Sequence, residues 1–108
     1  MKTLYYDIDL IVPHQTNKEV LINEALLKLD SFCNNAISDF IDSIPTAPPK
    51  AGEKYILSAG QSLHKICYCI DPSKGWQILE PQMGMIVFVI RRNSFFVFDS
   101  IWNKINIT

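Results

Sequence analysis

The sequence lacks an apolar stretch long enough to cross a membrane as a helix. Its longest apolar run covers only residues 83–90 and ends at Arg91, whereas a membrane-spanning helix needs roughly twenty apolar residues. The start of the chain also lacks the apolar core of a secretion signal, because Asp7 and Asp9 interrupt it. We therefore expect no membrane partner.

Charge of either sign is scarce. Only 19% of the residues are charged, and the formal net charge is −1. Proteins that bind nucleic acids or anionic membranes usually present a surplus of lysine and arginine. The composition therefore excludes nucleic acid as an expected partner.

Cysteine and glycine are also few, with three and four residues. An odd number of cysteines does not indicate a disulfide framework, so we expect synthesis in a reducing cytoplasm. The chain has no glycine-rich phosphate loop, no nucleophile-elbow or triad pattern, and no carboxylate pair at a glycosidase spacing. The sequence predicts no enzyme and no cofactor.

Apolar side chains, by contrast, are abundant and make up 48% of the 108 residues. This length predicts a single domain, 1–108, with one modest core. A weakly charged small protein with so high an apolar fraction has more apolar surface than a monomer buries. The composition therefore favours homo-oligomerisation.

The double proline Pro48-Pro49 separates two patterns, because no helix continues through it. The predicted organisation is an extended arm at 1–14, a helical segment at 15–45 and a β-meander at 46–108. The arm fits an edge strand of its own sheet or a strand donated to a neighbouring subunit, and the pattern does not choose between them.

A helix is predicted over residues 16–30. Thr16 and Glu19 have the spacing of a capping box. An apolar stripe with heptad-like spacing follows, formed by Ile22, Leu26, Leu29 and Cys33. The heptad pattern holds for only two repeats, fewer than a coiled coil needs. Packing of this stripe on the chain's own sheet is therefore favoured over an intersubunit bundle. The pattern of residues 36–44 fits either a helix or a strand. We favour an extended segment that leads into Pro45.

Five short strands are predicted after the double proline. They cover residues 54–58, 65–70, 75–79, 85–91 and 95–99. Asp71 and Pro72 begin a turn that Gly75 ends, and Asn93 lies in a hairpin connection. The predicted fold class is α+β, with an N-terminal helix packed on a small five-stranded antiparallel meander and an extended N-terminal arm.

Several short motifs follow one another in a fixed order between about residues 15 and 102. They are Gln15-Thr16-Asn17-Lys18-Glu19-Val20, Asn23-Glu24-Ala25-Leu26, Leu29-Asp30, Thr46-Ala47-Pro48-Pro49, Gly52 with Tyr55-Ile56, Gly75-Trp76, Pro81 with Gly84, Phe98-Asp99 and Trp102. In this order they resemble a domain-of-unknown-function family of prophage and gene-transfer-agent structural proteins. The chain departs from that pattern at residues 61–69.

The resemblance implies a non-enzymatic virion component made in the bacterial cytoplasm, such as a tail-fibre, spike or adaptor protein. Its expected partners are other virion proteins and further copies of itself, with a trimer favoured because fibre proteins are built that way. An alternative is a carbohydrate-binding module that reads host surface polysaccharide.

Aromatic and polar side chains of the second half are candidates for such a glycan site. Aromatic faces stack on the apolar faces of sugar rings, and amides bind the hydroxyls. The candidate residues are Trp76, Trp102, Tyr55, Tyr68, Gln82 and Asn93. The alternative is that the aromatic side chains fill a small core.

His64, Cys67 and Cys69 have metal-ligand side chains, but they supply only three of the four ligands that a structural zinc site needs. Free cysteines are also common in small cores. We therefore predict no metal, with these three residues as the weak candidate.

Overall fold

The computed structural model describes residues 2–10 and 18–106. It contains one α-helix, α1 (Lys18–Cys33), and eight strands. The strands are β1 (Ala36–Ile37), β2 (Asp39–Ile41), β3 (Lys54–Leu57), β4 (Ile66–Tyr68), β5 (Gln77–Leu79), β6 (Ile86–Val89), β7 (Ser94–Asp99) and β8 (Ile101–Lys104). The chain divides into two compact units, Met1–Asn34 and Asn35–Thr108. The predicted capping box at Thr16 lies outside the described residues.

In the first unit, a buried carboxylate of α1 holds the N-terminal residues in place. Asp30 is 1% exposed. It accepts hydrogen bonds from the Thr3 hydroxyl at 2.7 Å and from the backbone N–H groups of Tyr5 and Tyr6 at 2.7 and 2.8 Å. The N–H of Thr3 also donates to the carbonyl of Ile8. Residues 2–9 therefore turn back on themselves instead of forming the predicted extended arm.

In the second unit, the first sheet has the strand order β1-β6-β7-β8. β1 runs parallel to β6, and the other two pairs are antiparallel. The inner face of this sheet carries Ile37, Val87 and Val89, each at most 1% exposed. We call the opposite face the outer face. It carries Ile86, Phe88, Phe95, Val97, Asp99, Ile101, Asn103 and Ile105.

The second sheet has the strand order β2-β3-β4-β5, with β2 parallel to β3 and the remaining pairs antiparallel. Ile56 and Ile66 face each other across β3 and β4 and are fully buried. The rings of Phe40 and Phe96 meet at a centroid distance of 5.1 Å and an angle of 68°. This contact joins the second sheet to the inner face of the first, so the core lies between the sheets.

One extended segment, 36–41, contributes a strand to each sheet. β1 belongs to the first sheet and β2 to the second, and Ser38 lies between them. The Ser38 N–H donates to the carbonyl of Lys54 at 2.9 Å, and its carbonyl accepts from the N–H of Arg91 at 3.1 Å. The preference for an extended segment before Pro45 is confirmed over these six residues.

The predicted fold class is wrong, because the chain forms eight strands in two mixed sheets instead of a helix packed on one antiparallel meander. All five predicted strands are present. However, β5 and β6 do not pair, since the connection through Pro81 carries the chain from one sheet to the other. The prediction also missed the parallel strands β1 and β2 and the last strand, β8.

No helix among the described residues is long and apolar enough to cross a membrane. The boundary of a single domain at 1–108 stays a prediction.

Candidate functional site

A groove of about 470 Å³ crosses one end of the outer face of the first sheet. It is lined by Phe88, Asn93, Ser94, Phe95, Lys104, Ile105 and Asn106. Small-ligand sites in proteins usually enclose roughly 300–1,000 Å³ and combine apolar walls with a few polar groups. The groove has both properties and is therefore the candidate binding site.

Two phenylalanines from neighbouring strands form the aromatic part of the groove. Phe88 on β6 and Phe95 on β7 are directly opposite each other in the antiparallel register. Their rings meet edge to face, with centroids 4.9 Å apart and planes at 68°. Phe95 is 41% exposed. The contact with Phe88 already fixes the Phe95 ring, so its exposed apolar face does not have to be ordered when a ligand binds.

The hairpin between β6 and β7 places an amide at the edge of the groove. Residues Ile90–Arg92 form one turn of 3₁₀ helix. Asn93 follows in the left-handed region, with φ 50° and ψ 43°, and its N–H donates to the carbonyl of Ile90. Asparagine adopts this conformation more readily than most residues. The turn therefore sets the position of the Asn93 side chain.

The residues that follow β8 form the edge of the groove opposite Asn93. The N–H of Ile105 donates to the carbonyl of Phe95 at 2.8 Å, which holds the chain beside β7 beyond the end of β8. Lys104 and Asn106 flank this bond and are exposed. Within the described residues, the side chains of Asn93, Lys104 and Asn106 make no hydrogen bond to the protein. Their polar groups are available to a ligand.

The groove is lined by aromatic, aliphatic, amide and hydroxyl residues and one lysine. Lys104 is the only titratable side chain among its seven lining residues. General acid–base catalysis needs a positioned proton donor and acceptor, usually a histidine or carboxyl group. Aromatic, amide and ammonium groups instead suit a ligand with apolar faces and many hydroxyls.

The predicted glycan residues do not meet at one place. Of the six, only Asn93 lines the groove. Gln82 is exposed in the connection between β5 and β6, and Tyr68 is 3% exposed in the core. Their assignment to a glycan site stays a prediction, but Tyr68 has little surface that a ligand reaches.

Tyr55 and Trp76 lie together on the second sheet, with ring centroids 5.9 Å apart. The Tyr55 hydroxyl donates to Glu53 at 3.1 Å, and burial followed by this carboxylate raises the pKa of the phenol. Trp76 Nε1 is buried and has no hydrogen-bond partner in the part of the chain that the structure describes. The pair forms a half-buried aromatic cluster away from the groove.

Trp102 lies at the open end between the two sheets. Its Nε1 donates to the carbonyl of His64 at 2.9 Å, and its ring is 5.1 Å from that of Phe98. A second cleft, of about 250 Å³, is lined there by Phe40, Ile56, Leu57, Ser58, Leu63, His64, Ile101 and Trp102. Its lining is mostly apolar, and the indole N–H is already satisfied.

Cys67 and Cys69, two of the three metal-ligand candidates, lie in the core of the part of the chain that the structure describes. Cys67 and Cys69 are free thiols, 0% and 1% exposed. Burial raises the pKa of Cys67 to about 11 and also raises that of Cys69. Metals bind thiolates, which these environments disfavour. Among the described residues, no group of three or more histidine, cysteine or acidic side chains is arranged to hold a metal ion.

Sequence reasoning missed Phe88, Lys104 and Asn106 as lining residues. Phe88 belongs to the strand predicted at 85–91, and its pairing with Phe95 required the register of the hairpin. The other two depend on β8, which was not predicted. Little signal for this strand was available, because Ile101 and Ile105 share one face with the polar Asn103, and Trp102 breaks the alternation.

Comparison with protein families matches residues 22–103 to a family described as "Protein of unknown function (DUF2793)". The chain belongs to the DUF2793 family. The match begins within α1 and ends within β8, so it includes Phe88, Asn93 and Phe95 of the groove but stops one residue before Lys104. No curated protein is similar enough to the chain to count as a match. An association of this chain with phage particles stays a prediction.

Proposed function

We propose that this DUF2793 protein is a non-enzymatic structural component of a phage-like or gene-transfer-agent-like particle, acting as a tail-fibre, spike or adaptor subunit. It forms homo-oligomers, with a trimer expected, and contacts other virion proteins. It is made in the bacterial cytoplasm and then incorporated into the particle.

The observation that carries the proposal is the exposed apolar surface at the other end of the outer face. Ile86 on β6 and Ile101 on β8 are 48% and 50% exposed. Val97 on β7 lies between them in the register. It pairs with Ile86, and Asp99, two residues further along β7, pairs with Ile101. Asp99 and Asn103 lie beside Ile101 on the same face, so the patch is an apolar centre with polar neighbours. Exposed apolar surface rimmed by polar residues commonly marks a contact between proteins.

The helix gives a second observation in favour of self-association. Ile22 and Leu29 are 46% and 61% exposed. They are seven residues apart, so they occupy the same heptad position on α1. These two exposed positions of the stripe are available to an intersubunit bundle, the alternative that the sequence left open.

Oligomeric state tests the assembly. The variant Ile86→Ser/Ile101→Ser removes apolar area from the outer face, and Met83→Ser serves as the matched control because Met83 is 72% exposed in a turn outside that face. In light scattering and sedimentation, we expect the wild type and the control to form trimers and the double variant to dissociate. A wild type that stays monomeric at hundreds of micromolar would contradict the proposal.

The particle assignment has its own test. Particles released by a bacterium that carries the gene are purified on a density gradient and analysed by quantitative mass spectrometry. We expect the protein in the particle fraction at a copy number divisible by three. Its presence in the cell lysate together with its absence from purified particles would overturn the assignment.

The groove supports a second candidate function, that of a carbohydrate-binding module. Phe95 offers an exposed ring, and Asn93 is among the residues that line the groove with it. On a glycan array, we expect binding that Phe95→Ala abolishes and Met83→Ala leaves unchanged. An array without any hit would end this candidate but leave the assembly role untouched.

A further inference from the structure

Strand β8 is a free edge of the first sheet. It is the last strand in the order β1-β6-β7-β8 and pairs only with β7 in the described part of the chain. The N–H of Ile105 points towards β7, because it donates to the carbonyl of Phe95. Backbone groups alternate in direction along a strand. The N–H and carbonyl groups of Trp102 and Lys104 therefore point away from β7, and no described residue pairs with them.

This edge is less protected than the others. β1, β2 and β5 also end a sheet, but they are two, three and three residues long, and very short strands make poor templates for pairing. β8 has four residues, and Ile105 extends its pairing with β7. It contains no proline, and Lys104 is its one charged residue. An uncovered edge of this kind accepts a strand from another chain.

We propose that β8 pairs with β8 of a second copy of this chain, antiparallel and across a two-fold axis at Asn103. In this register, Trp102 of each copy pairs with Lys104 of the other, and each pair exchanges both of its backbone hydrogen bonds. The inference goes beyond the assembly proposed above, because the contact uses the edge of the sheet and not its outer face.

The backbone favours this register over its two nearest alternatives. Pairing of Trp102 with itself would bring Lys104 opposite Ser100, which lies between β7 and β8 in a left-handed conformation with φ 58°. A second hydrogen-bonded pair could then not form. Pairing of Lys104 with itself would place like charges directly opposite each other, which is destabilising. The proposed register avoids both problems, so the strand is complementary to itself.

The side chains also fit this register. On the outer face, Ile101 comes opposite Ile105 of the second copy, so a side chain that is 50% exposed gains an apolar neighbour. Asn103 meets Asn103 of the second copy, which is a pair of neutral side chains. On the inner face, the Lys104 side chain comes opposite Trp102 of the second copy, and an ammonium near an indole ring is favourable. These matches identify a second copy as the partner.

The edge contact is small, so it forms at higher protein concentration than the contact through the outer face. A two-fold contact joins assemblies in pairs. In sedimentation, we therefore expect the proposed trimer to be replaced by a hexamer as the concentration rises.

Two substitutions of one residue test the role of the backbone edge. Lys104→Pro and Lys104→Ala both remove the lysine side chain, but only the proline removes the outward N–H. Proline is tolerated on an edge strand where the N–H faces solvent, and circular dichroism checks the fold. We expect the doubling step to be weaker in Lys104→Pro than in Lys104→Ala by about tenfold or more, because each contact loses two symmetry-related hydrogen bonds. Equal weakening in both variants would overturn the proposal.

A disulfide tests the register itself. The two Asn103 residues form a non-hydrogen-bonded pair, with Cα atoms about 4.5 Å apart, which is within the range that a disulfide spans. In a Cys33→Ser background, Asn103→Cys should form a linked dimer under mild oxidation. Ile105→Cys should not, because it faces Ile101 of the second copy. Lys50→Cys, at an exposed position outside β8, gives the level of random collision.

The outcomes separate this inference from the trimer. A linked Asn103→Cys dimer from a wild type that passes only from monomer to dimer would support the edge contact and contradict the trimer. Linking of Asn103→Cys no faster than that of Lys50→Cys would overturn the edge contact and leave the trimer untouched. Equal linking of Asn103→Cys and Ile105→Cys would overturn the register.

Discussion

At the scale of single residues, Asp30 is the polar group on which the first unit depends most directly. Its two carboxylate oxygens accept the Thr3 hydroxyl and two successive backbone N–H groups, those of Tyr5 and Tyr6. A buried carboxylate is costly unless it is hydrogen-bonded, and these bonds offset that cost. They also satisfy N–H groups of a turn that has no strand partner for them.

Asp30→Asn should release this turn. The amide nitrogen of asparagine donates where the carboxylate oxygen accepts, so at least one of the two N–H groups loses its partner. An unsatisfied buried group costs about 1–3 kcal/mol, and we expect hydrogen exchange of the Tyr5 and Tyr6 amides to accelerate about 5- to 150-fold. Nuclear magnetic resonance measures this directly.

Asp9→Asn is the control for that experiment. Asp9 pairs with Lys2 at 2.7 Å, but both side chains are mostly exposed. Exposed ion pairs contribute little to stability, so this variant should leave the two amide exchange rates unchanged. Equal acceleration in both variants would show that Asp30 has no special role.

Cys67 should be unreactive in the folded protein. With a pKa of about 11, only about one thiol in a thousand is ionised at pH 8. In a Cys33→Ser background, we expect Cys67 and Cys69 to react with a thiol reagent only after denaturant is added. Rapid labelling of the native protein at pH 8 would show that the thiols are accessible.

The raised pKa of Cys67 also has a consequence for stability. The folded state favours the protonated thiol, so its stabilising contribution is complete below the ordinary pKa near 9 and is lost as the pH rises towards 11. The free energy of unfolding should therefore fall more steeply between pH 9 and 11 in wild type than in Cys67→Ala.

At the scale of the secondary-structure elements, Ser38 is the point where β1 and β2 pass between sheets. Ser38→Pro removes the N–H that donates to the carbonyl of Lys54. We expect a loss of about 2 kcal/mol or more in the free energy of unfolding, measured by urea denaturation. Ser38→Ala keeps that N–H and should cost less than about 0.5 kcal/mol. Similar losses in both variants would mean that the side chain, and not the backbone bond, matters.

Much of the secondary structure followed from local sequence, whereas the pairing of strands did not. The five predicted strands and the turn from Asp71 to Gly75 are confirmed, because alternation and turn residues act over a few positions. The parallel pairing of Ile37 with Val89 cannot be recognised from the residues next to them in the sequence. β1 and β2 are two and three residues long, too short for either parity of residues 36–41 to show a face.

The candidate site was predictable only in part, for the same reason. Asn93 was predicted as a site residue because its amide can bind sugar hydroxyls, and its place in a hairpin turn was predicted because it tolerates positive φ. Phe88 and Phe95 come together through strand register, and Lys104 enters through the missed strand β8. The tryptophans were the more conspicuous candidates, but the structure places them in two separate clusters.

At the scale of the whole molecule, the two proposed functions use opposite ends of one sheet face. Ile86 and Ile101 belong to the surface that we propose for assembly, and Phe88 and Phe95 line the groove. We therefore expect Ile86→Ser/Ile101→Ser to keep the affinity of a single groove for a soluble saccharide. Binding to a dense saccharide surface should weaken about a hundredfold or more, because linked sites bind with avidity.

Surface plasmon resonance on saccharide layers of low and high density distinguishes the two effects. Loss of affinity for the soluble saccharide in the same double variant would show that the two ends of the face are not independent. Unchanged binding to the dense layer would show that assembly does not link the grooves.

The segment shared by the two sheets affects how the chain emerges from the ribosome. Ile37 pairs with Val89, 52 positions later, and β6 in turn pairs with β7. The second sheet has all of its strands once Leu79 has been synthesised, whereas the first sheet is incomplete until β8 ends at Lys104. Residues 35–106 therefore complete their native pairing only after Lys104 has left the exit tunnel, and until then the apolar inner-face residues of β1 lack their full sheet.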